Sequence, residues 1–338
     1  MNAEPVLQVR NLHAYIGTRR GVVRAVQDVS LHVDRGQSLG VVGESGSGKS
    51  MMARTIMDRL PRRAVCSGEV LFHGRDLLGM SRKQRSEIWG KQVAMVFQDP
   101  GRSLNPVVRV ERQLTEGMRK LLGVGRSEAR GRAIDLLREV GVPDPERRLR
   151  AYPHELSGGM RQRVMIAIAL ACEPDLLIAD EPTTALDVTI QRQILDLLRR
   201  VQRDRGMSLL LISHDLAVVA GQTDRVAVMY AGRLAEVGET RRVFDTPRHR
   251  YTHALLEATP TLEHERNAPL RLIPGTLPDP TNLPEGCRFT ARCLHADDEC
   301  RDPGPVMEPI APDHLVACVR PVTAPAVADL EGADLDGR

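Results

Sequence analysis

The stretch with the clearest chemistry is Gly43–Ser50, GESGSGKS, which has the glycine, lysine and serine spacing of a phosphate-binding loop. Its glycines let the backbone curl so that successive N–H groups point at one anion. Lys49 would reach the terminal phosphates of a nucleotide, and the Ser50 hydroxyl would bind Mg²⁺. An incidental glycine turn is disfavoured because an apolar strand precedes the stretch and a helical pattern follows it. The predicted nucleotide-binding residues of this loop are Gly43, Glu44, Ser45, Gly46, Ser47, Gly48, Lys49 and Ser50.

Polar residues that could act on the phosphates follow three other apolar stretches. Asp180 and Glu181 end the stretch LLIADE, and they would point in different directions because strand side chains alternate. We assign Asp180 to Mg²⁺ and Glu181 to the attacking water, as general base. His214 follows LLLIS and is predicted to touch the γ-phosphate, while Gln98 follows AMVF and would reach Mg²⁺ or the water. Without the phosphate loop, a solvated sheet edge and a surface histidine would be the better interpretation.

A second anion-binding helix end is predicted at LSGGMRQRV. Ser157 is a good N-cap, and Gly158 and Gly159 leave the first turn without side chains. Bare N–H groups and the helix dipole together favour an anion at this end. The chain therefore carries two helix ends that could bind phosphate.

The elements that must position these residues are short apolar strands alternating with helices, which predicts an α/β sheet. The strand SLGVVG runs into the phosphate loop, and the helix after it stops at Pro61. An Arg-rich helical block from about 103 to 172 interrupts the alternation. The segment 226–238 predicts a hairpin around Ala-Gly, and proline, cysteine and loops dominate after about 245.

The composition excludes several classes of protein. Hydrophobic residues make up 42% and charged residues 27% of the chain, which is ordinary for a globular protein. A net charge of +3 and 3% aromatic residues argue against nucleic-acid binding. No apolar run reaches the roughly 18 residues that a membrane span needs, and the N-terminus has no signal pattern. We therefore expect a cytoplasmic protein whose thiols stay reduced.

Four of the six cysteines lie close together near the C-terminus, with the spacing C-x₅-C-x₆-C-x₁₇-C. Disulfides are not expected in a reducing compartment, and Cys66 and Cys172 are interpreted as structural. Four thiols suit zinc or an iron–sulfur cluster, but the spacing matches neither the close pairs of zinc sites nor the ferredoxin patterns. The candidate ligands are Cys287, Cys293, Cys300 and Cys318.

The order of these motifs resembles the ATP-binding-cassette (ABC) ATPases over about residues 6–245. The resemblance implies an α/β, ABC-type P-loop NTPase with a mixed sheet core, an antiparallel β subdomain, an inserted helical subdomain and a loop-rich, Cys-containing C-terminal extension. It implies a nucleotide-binding domain over 1–250, with a helical subdomain inserted at about 100–172, and a C-terminal extension over 251–322. The tail over 323–338 is predicted to be disordered because it lacks a core pattern. The matching segments are Walker A (Gly43–Ser50), the Q-loop (Gln98), the signature (Leu156–Met160), Walker B (Leu176–Asp180) followed by Glu181, the D-loop (Ala185–Asp187) and the switch histidine (His214).

In this family, the ATP on one subunit is closed by the signature helix of another. The resemblance therefore implies that Ser157, Gly158 and Gly159 act on the partner's ATP, so that two cassettes sandwich two nucleotides. Binding would close the dimer, and hydrolysis would open it. The family's adenine-stacking aromatic is expected near LHAYIG; we assign it to Tyr15, while a gapless comparison gives Ile16.

Four segments resemble more narrowly the ATPase subunits of dipeptide, oligopeptide and nickel importers, over about residues 5–320. They are FQDPGRSLNP, YPHELSGGMRQRVMIAIALA, IADEPTTALDVTIQ and TPRHRYTHALLEATP. The implied function is ATP hydrolysis that powers import of di- or oligopeptides, with metallophore, nickel or glutathione import as alternatives. A soluble ATPase of DNA repair or translation is disfavoured because the cysteines follow the cassette. A P-loop kinase or GTPase would leave LSGGM unexplained.

The same resemblance implies the partners and location. They are two membrane permease subunits docked on the helical block, a second homologous ATPase chain or a second copy of this one, and an extracytoplasmic substrate-binding protein, with no nucleic acid. The chain would lie peripherally at the cytoplasmic face of the bacterial inner membrane. For the four cysteines the subgroup implies a [4Fe–4S] cluster, with Zn²⁺ as the alternative, that staples the Pro-rich extension.

Overall fold

The computed structural model describes residues 4–184, 186–259, 272–302 and 304–323. The tail predicted to be disordered, residues 323–338, lies outside this description except for residue 323. The described strands are β1 Leu7–Thr18, β2 Gly21–Val33, β3 Ser38–Val42, β4 Ala64–Phe72, β5 Arg75–Asp76, β6 Val93–Val96, β7 Leu176–Asp180, β8 Ser208–Ser213, β9 Arg225–Tyr230, β10 Arg233–Glu239, β11 Glu308–Ala311 and β12 His314–Val316. The described α-helices are α1 Lys49–Ile56, α2 Arg82–Ser86, α3 Pro100–Ser103, α4 Val110–Leu121, α5 Arg126–Glu139, α6 Pro145–Leu149, α7 Gly158–Leu170, α8 Val188–Arg205, α9 Leu216–Ala220, α10 Thr240–Asp245 and α11 Arg250–Glu257.

The larger sheet is mixed, as predicted, with the order β11-β12-β10-β9-β3-β8-β7-β6. Strands β6, β7, β8, β3 and β9 pair in parallel, while β9, β10, β12 and β11 pair antiparallel. Every residue of β3, β7 and β8 is buried, because parallel strands are covered on both faces. The carboxyl ends of β3, β6, β7 and β8 lie along one edge, where ligands bind in sheets of this kind.

A second, antiparallel sheet of order β2-β1-β4-β5 confirms the predicted antiparallel β subdomain. Its long strands β1 and β2 pair along nearly their whole length, with bulges in β1 between Val9 and Tyr15. The predicted hairpin at 226–238 is also present, as β9 and β10. Its turn residues Ala231 and Gly232 have φ of 44° and 87°, which suits a tight hairpin turn.

The predicted helical block lies between β6 and β7 and comprises α3 to α7. Leu114, Met118, Leu137 and Val164 of this block are fully buried, in an apolar core that the block shares with strands of the larger sheet. The N-terminus of α7 is the segment predicted to bind a partner's nucleotide. No helix within the described ranges is long and apolar enough to cross a membrane.

The residues after α10 share the core and the sheet of the preceding residues. Strand β12 hydrogen-bonds to β10 through the pairs Glu236–Val316 and Val237–Leu315, so the C-terminal part extends the larger sheet. Tyr251 of α11 is fully buried, and its ring lies 4.5 Å from Tyr230 and 5.3 Å from Phe289, between ring centroids. The C-terminal residues are thus held by sheet pairing and aromatic packing.

Candidate functional site

The phosphate loop follows β3 and leads into α1. Gly43, Gly46 and Gly48 have φ of 151°, 85° and 105°, a backbone region that glycine adopts without steric cost. A side chain at Gly48 would also collide with the carbonyl of Ala25. The Lys49 ammonium is buried and donates to the carbonyl oxygens of Gly43 (2.7 Å) and Glu44 (3.0 Å). The loop therefore closes around its own lysine, with backbone N–H groups at the start of α1.

Two of the three residues predicted to bind Mg²⁺, Ser50 and Asp180, lie together at the edge of the sheet. The Ser50 hydroxyl donates a 2.7 Å hydrogen bond to Oδ1 of Asp180, which is 1% exposed at the end of β7. Burial raises the pKa of the Asp180 carboxyl, and the hydrogen bond from Ser50 opposes that shift. Burial also lowers the pKa of Lys49, while the charges of Glu181 and Asp180 counteract it. A hydroxyl and a carboxylate at this spacing could share one hard cation.

Glu181 is the centre of the predicted catalytic group. Its Oε2 accepts hydrogen bonds from Nε2 of Gln98 (2.8 Å) and the hydroxyl of Thr184 (2.9 Å), and lies 3.3 Å from Nδ1 of His214. The φ of Glu181 is 47°, which is rare for a residue with a side chain and is often found at functional sites. The Glu181 side chain is 12% exposed, so the protein shields most of it from solvent. The structure thus joins Gln98, Glu181 and His214, which the sequence placed after three different strands.

A cavity of about 570 Å³ lies beside the phosphate loop. Lys49, Ser50, Gln98 and Glu181 all contribute to its lining, as does Ile16 of β1. Tyr15 is not among the residues that line this cavity, because neighbouring strand residues face opposite sides. Its hydroxyl instead lies 3.0 Å from Nδ1 of His13. The assignment of adenine stacking to Tyr15 therefore lacks geometric support, and Ile16 occupies that wall.

The signature segment forms the N-terminus of α7, away from this cavity. The Ser157 hydroxyl accepts from the N–H of Met160 at 3.3 Å, which makes Ser157 the N-cap as predicted. Neither Ser157, Gly158 nor Gly159 lines the 570 Å³ cavity in the described part of the chain. Asp187 of the predicted D-loop caps α8 by accepting from the N–H of Ile190, while Ala185 lies outside the described residues.

The four C-terminal cysteines lie near one another in the loops around β12. Burial raises the pKa of every one of these thiols, and the charge of a neighbouring cysteine adds to the shift in each case. Across the described ranges, no group of three or more His, Cys, Asp or Glu side chains is arranged to hold a metal ion. The predicted metal centre is therefore not supported by a ligand geometry. Buried thiols stay protonated unless a cation offsets the charge of the thiolate. The residues concerned are Cys287, Cys293, Cys300 and Cys318.

Several residues of the site had no signal in the sequence. Thr184 was not predicted to contact Glu181, although it follows in the same loop. Arg292 forms two hydrogen bonds with the carboxylate of Glu44, and the hydroxyl of Tyr251 accepts from the N–H of Glu44. More than 200 residues separate these partners, so no local pattern could have revealed them.

Comparison with known proteins agrees with the arrangement of this site. The pattern of the ABC transporter family matches residues 26–184, and that of the oligopeptide/dipeptide transporter C-terminal region matches residues 235–300. The chain is 47% identical to the oligopeptide transport ATP-binding protein OppD of Bacillus subtilis over 92% of this chain and 87% of that protein. It belongs to the ATP-binding proteins of peptide ABC transporters. The resemblance drawn from the motifs is confirmed.

Two further relatives of this ABC ATP-binding protein support the family and the fold. A probable peptide ABC transporter ATP-binding protein, y4tR of Sinorhizobium fredii, is 48% identical over 94% of this chain and 96% of its own length. The dimeric, post-hydrolysis structure of the ATP-binding cassette MJ0796, bound to ADP and Pi, is 25% identical with a TM-score of 0.63. That match covers 99% of the MJ0796 chain and 70% of this one.

Proposed function

We propose that this chain is the ATP-hydrolysing subunit that powers import of di- or oligopeptides through a separate membrane permease. The observation that carries the proposal is the convergence of Lys49, Ser50, Asp180 and Glu181 at one sheet edge, beside a cavity of about 570 Å³. The names of its relatives, an oligopeptide transport and a probable peptide ABC transporter protein, supply the cargo class.

The roles of the residues follow from their chemistry. Backbone N–H groups of the phosphate loop and Lys49 would hold the phosphates of ATP, and Ser50 and Asp180 would bind Mg²⁺. Glu181 would orient and deprotonate the attacking water, since its carboxylate can accept a proton there. Gln98 and His214 contact that carboxylate and would position it relative to the γ-phosphate.

We infer further that two ATPase chains share each nucleotide. Among the described residues, Ser157, Gly158 and Gly159 at the start of α7 do not line the cavity beside the phosphate loop of the same chain. A bare helix N-terminus binds an anion well, and a second chain would bring a phosphate to it. The solved relative MJ0796 is itself a dimer. The second chain is proposed to be a homologous ATPase, or else another copy of this one.

A groove of about 550 Å³ favours docking of the permease next to the site. It lies between the larger sheet and α7, and its lining includes Trp89, Met95, Phe97, Leu104 and Met165. Phe97 is 40% exposed and precedes Gln98, so a permease segment in this groove would lie one residue from the contact to Glu181. We propose that two permease subunits dock here, at the cytoplasmic face of the bacterial inner membrane, with an extracytoplasmic binding protein delivering the peptide.

We propose that the four C-terminal cysteines bind a metal centre. The first choice is a [4Fe–4S] cluster, and the alternative is Zn²⁺. The proximity of the four thiols supports this proposal. In the described part of the chain the thiols are not arranged as a set of metal ligands. Bound there, the group would supply a cross-link between loops. Anaerobically purified protein should be brown, with broad absorbance near about 400 nm that Cys293→Ser removes. Colourless anaerobic protein with stoichiometric zinc would exclude the cluster, and protein without either metal would exclude the centre.

The experiment that tests the import function reconstitutes the complex. The chain, its permease subunits and its second ATPase would be co-purified and placed in liposomes. We expect ATP-dependent uptake of a labelled dipeptide or tetrapeptide, and none with Lys49→Ala. Uptake of a nickel chelate or glutathione in place of peptides would correct the cargo, and failure to bind any membrane subunit would refute the proposal.

A further inference from the structure

Part of the wall of the nucleotide cavity comes from the C-terminal part of the chain. Residues 277–280 and Leu283 line the cavity together with Gly46 and Lys49. The Cδ1 atom of Leu277 lies 3.7 Å from the position that a Cβ on Gly46 would take, so the wall reaches the loop itself. The segment is anchored to the smaller sheet, because the N–H of Arg24 donates to the carbonyl of Pro280 at 3.0 Å.

A second contact from the C-terminal part holds the loop residue Glu44. The Nη1 and Nη2 atoms of Arg292 lie 2.6 and 3.0 Å from the two carboxylate oxygens of Glu44, a bidentate pair. Arg292 also donates from Nε to the carbonyl of Pro274 at 2.7 Å. Its guanidinium lies 5.8 Å from the ring centroid of Tyr230 and 6.0 Å from that of Phe289. With its side chain 5% exposed, Arg292 is fixed in one position.

The ion pair between Arg292 and Glu44 lies beside the proposed phosphate-binding site. Glu44 belongs to the loop that must receive a polyphosphate, and its carbonyl accepts from the ammonium of Lys49. Its N–H donates to the hydroxyl of Tyr251, also from the C-terminal part. Without Arg292, an uncompensated carboxylate, 29% exposed, would remain beside the triphosphate site and repel it. The bound arginine cancels that charge and fixes the peptide to which Lys49 is anchored.

We propose that the C-terminal part completes the nucleotide site of its own chain, with Leu277 as a contact surface for the nucleoside and Arg292 as a positioning residue for the phosphate loop. This inference rests on the proposed function, since it concerns ATP binding in the same cavity. It assigns the residues after the cassette a direct part in nucleotide affinity.

The test measures binding of ATP and of adenosine to the purified full-length chain, by displacement of a fluorescent nucleotide. Arg292→Met should lower the affinity for ATP about tenfold or more and that for adenosine much less, because the freed carboxylate repels phosphates. Adding Glu44→Gln to that variant should restore ATP affinity to within about threefold of wild type. If Arg292→Met does not fold, the same binding measurements can be made with Arg292→Gln.

Matched variants separate these effects from general damage to the C-terminal part. Arg320→Met breaks ion pairs with Asp297 and Glu299 and should leave ATP affinity unchanged. Leu277→Ala should lower the affinities for ATP and for adenosine by the same factor. Leu272→Ala, at an 82% exposed position, should change neither affinity.

Three results would overturn the inference. They are ATP affinity of the Arg292→Met variant within about twofold of wild type, no recovery on adding Glu44→Gln, or wild-type binding of both ligands by Leu277→Ala. A wild-type chain that binds no ATP at all would overturn the proposed function as well, so the two failures can be told apart.

Discussion

Burial of His249 should make the stability of this protein depend on pH in a defined window. His249 is 4% exposed, and its Nδ1 accepts from the N–H of Tyr251 at 2.9 Å, which caps α11. Burial lowers the pKa of His249 to about 4, and the nearby carboxylate of Glu236 only partly opposes the shift. Between about pH 6.5 and 4 the unfolded chain therefore binds this proton and the folded chain does not.

The sign and size follow from that difference. Stability rises with pH wherever the unfolded state binds more protons, so this histidine should lower the free energy of unfolding as pH falls from about 6.5 towards 4. The full shift corresponds to about 3 kcal/mol, and about 2 kcal/mol of it should be lost by pH 5. The Tyr251 hydroxyl accepts a hydrogen bond from the N–H of Glu44, so the loss of stability around His249 would also affect the phosphate loop.

The assay is urea unfolding at about pH 7.5 and pH 5, for wild type and for His249→Asn. Asparagine keeps an acceptor for the N–H of Tyr251 but does not titrate, so the variant should lose less stability between the two pH values, by about 2 kcal/mol. His253→Asn, at a 40% exposed position on the same helix, is the matched control and should resemble wild type. Equal pH dependence of His249→Asn and wild type would refute the reasoning.

Three further predictions concern the nucleotide site. Glu181→Gln should preserve ATP binding and lower turnover of the assembled transporter by about 10²–10⁴-fold; hydrolysis within about threefold of wild type would show that Glu181 is not the general base. Gly158→Trp should leave the ATP affinity of the isolated chain unchanged and impair hydrolysis in the complex, and a loss of affinity in the isolated chain would contradict the shared site. Ile16→Asp should weaken ATP binding measured by equilibrium titration while Tyr15→Ala should not, because Ile16 lines the cavity; the reverse order would restore the assignment to Tyr15.

The phosphate loop and the residues after the parallel strands could be predicted because they depend on short-range patterns. A glycine-rich stretch between an apolar strand and a helix determines its own shape, and strand ends in a parallel sheet meet at one edge. Gln98, Glu181 and His214 therefore came together as their positions after apolar stretches suggested.

The features that could not be predicted depend on register or on distant contacts. Which residue of LHAYIG faces the cavity depends on the register of β1: Tyr15 was assigned because it is aromatic, whereas Ile16 lines the cavity. The pairing of β12 with β10 involves only two residue pairs, too few to leave a periodic signal. The contact between Arg292 and Glu44 depends on the folded path of the intervening chain, which no local pattern records.

The separation between Glu44 and Arg292 also sets an order of events during synthesis. The two residues lie 248 positions apart, so at about 5–20 residues per second the arginine is made about 12 to 50 s after the loop it holds. Until then the nascent chain has its phosphate loop but lacks the arginine that holds Glu44 of that loop. High-affinity ATP binding would thus begin only after synthesis has passed Arg292, long after the phosphate loop itself has been made.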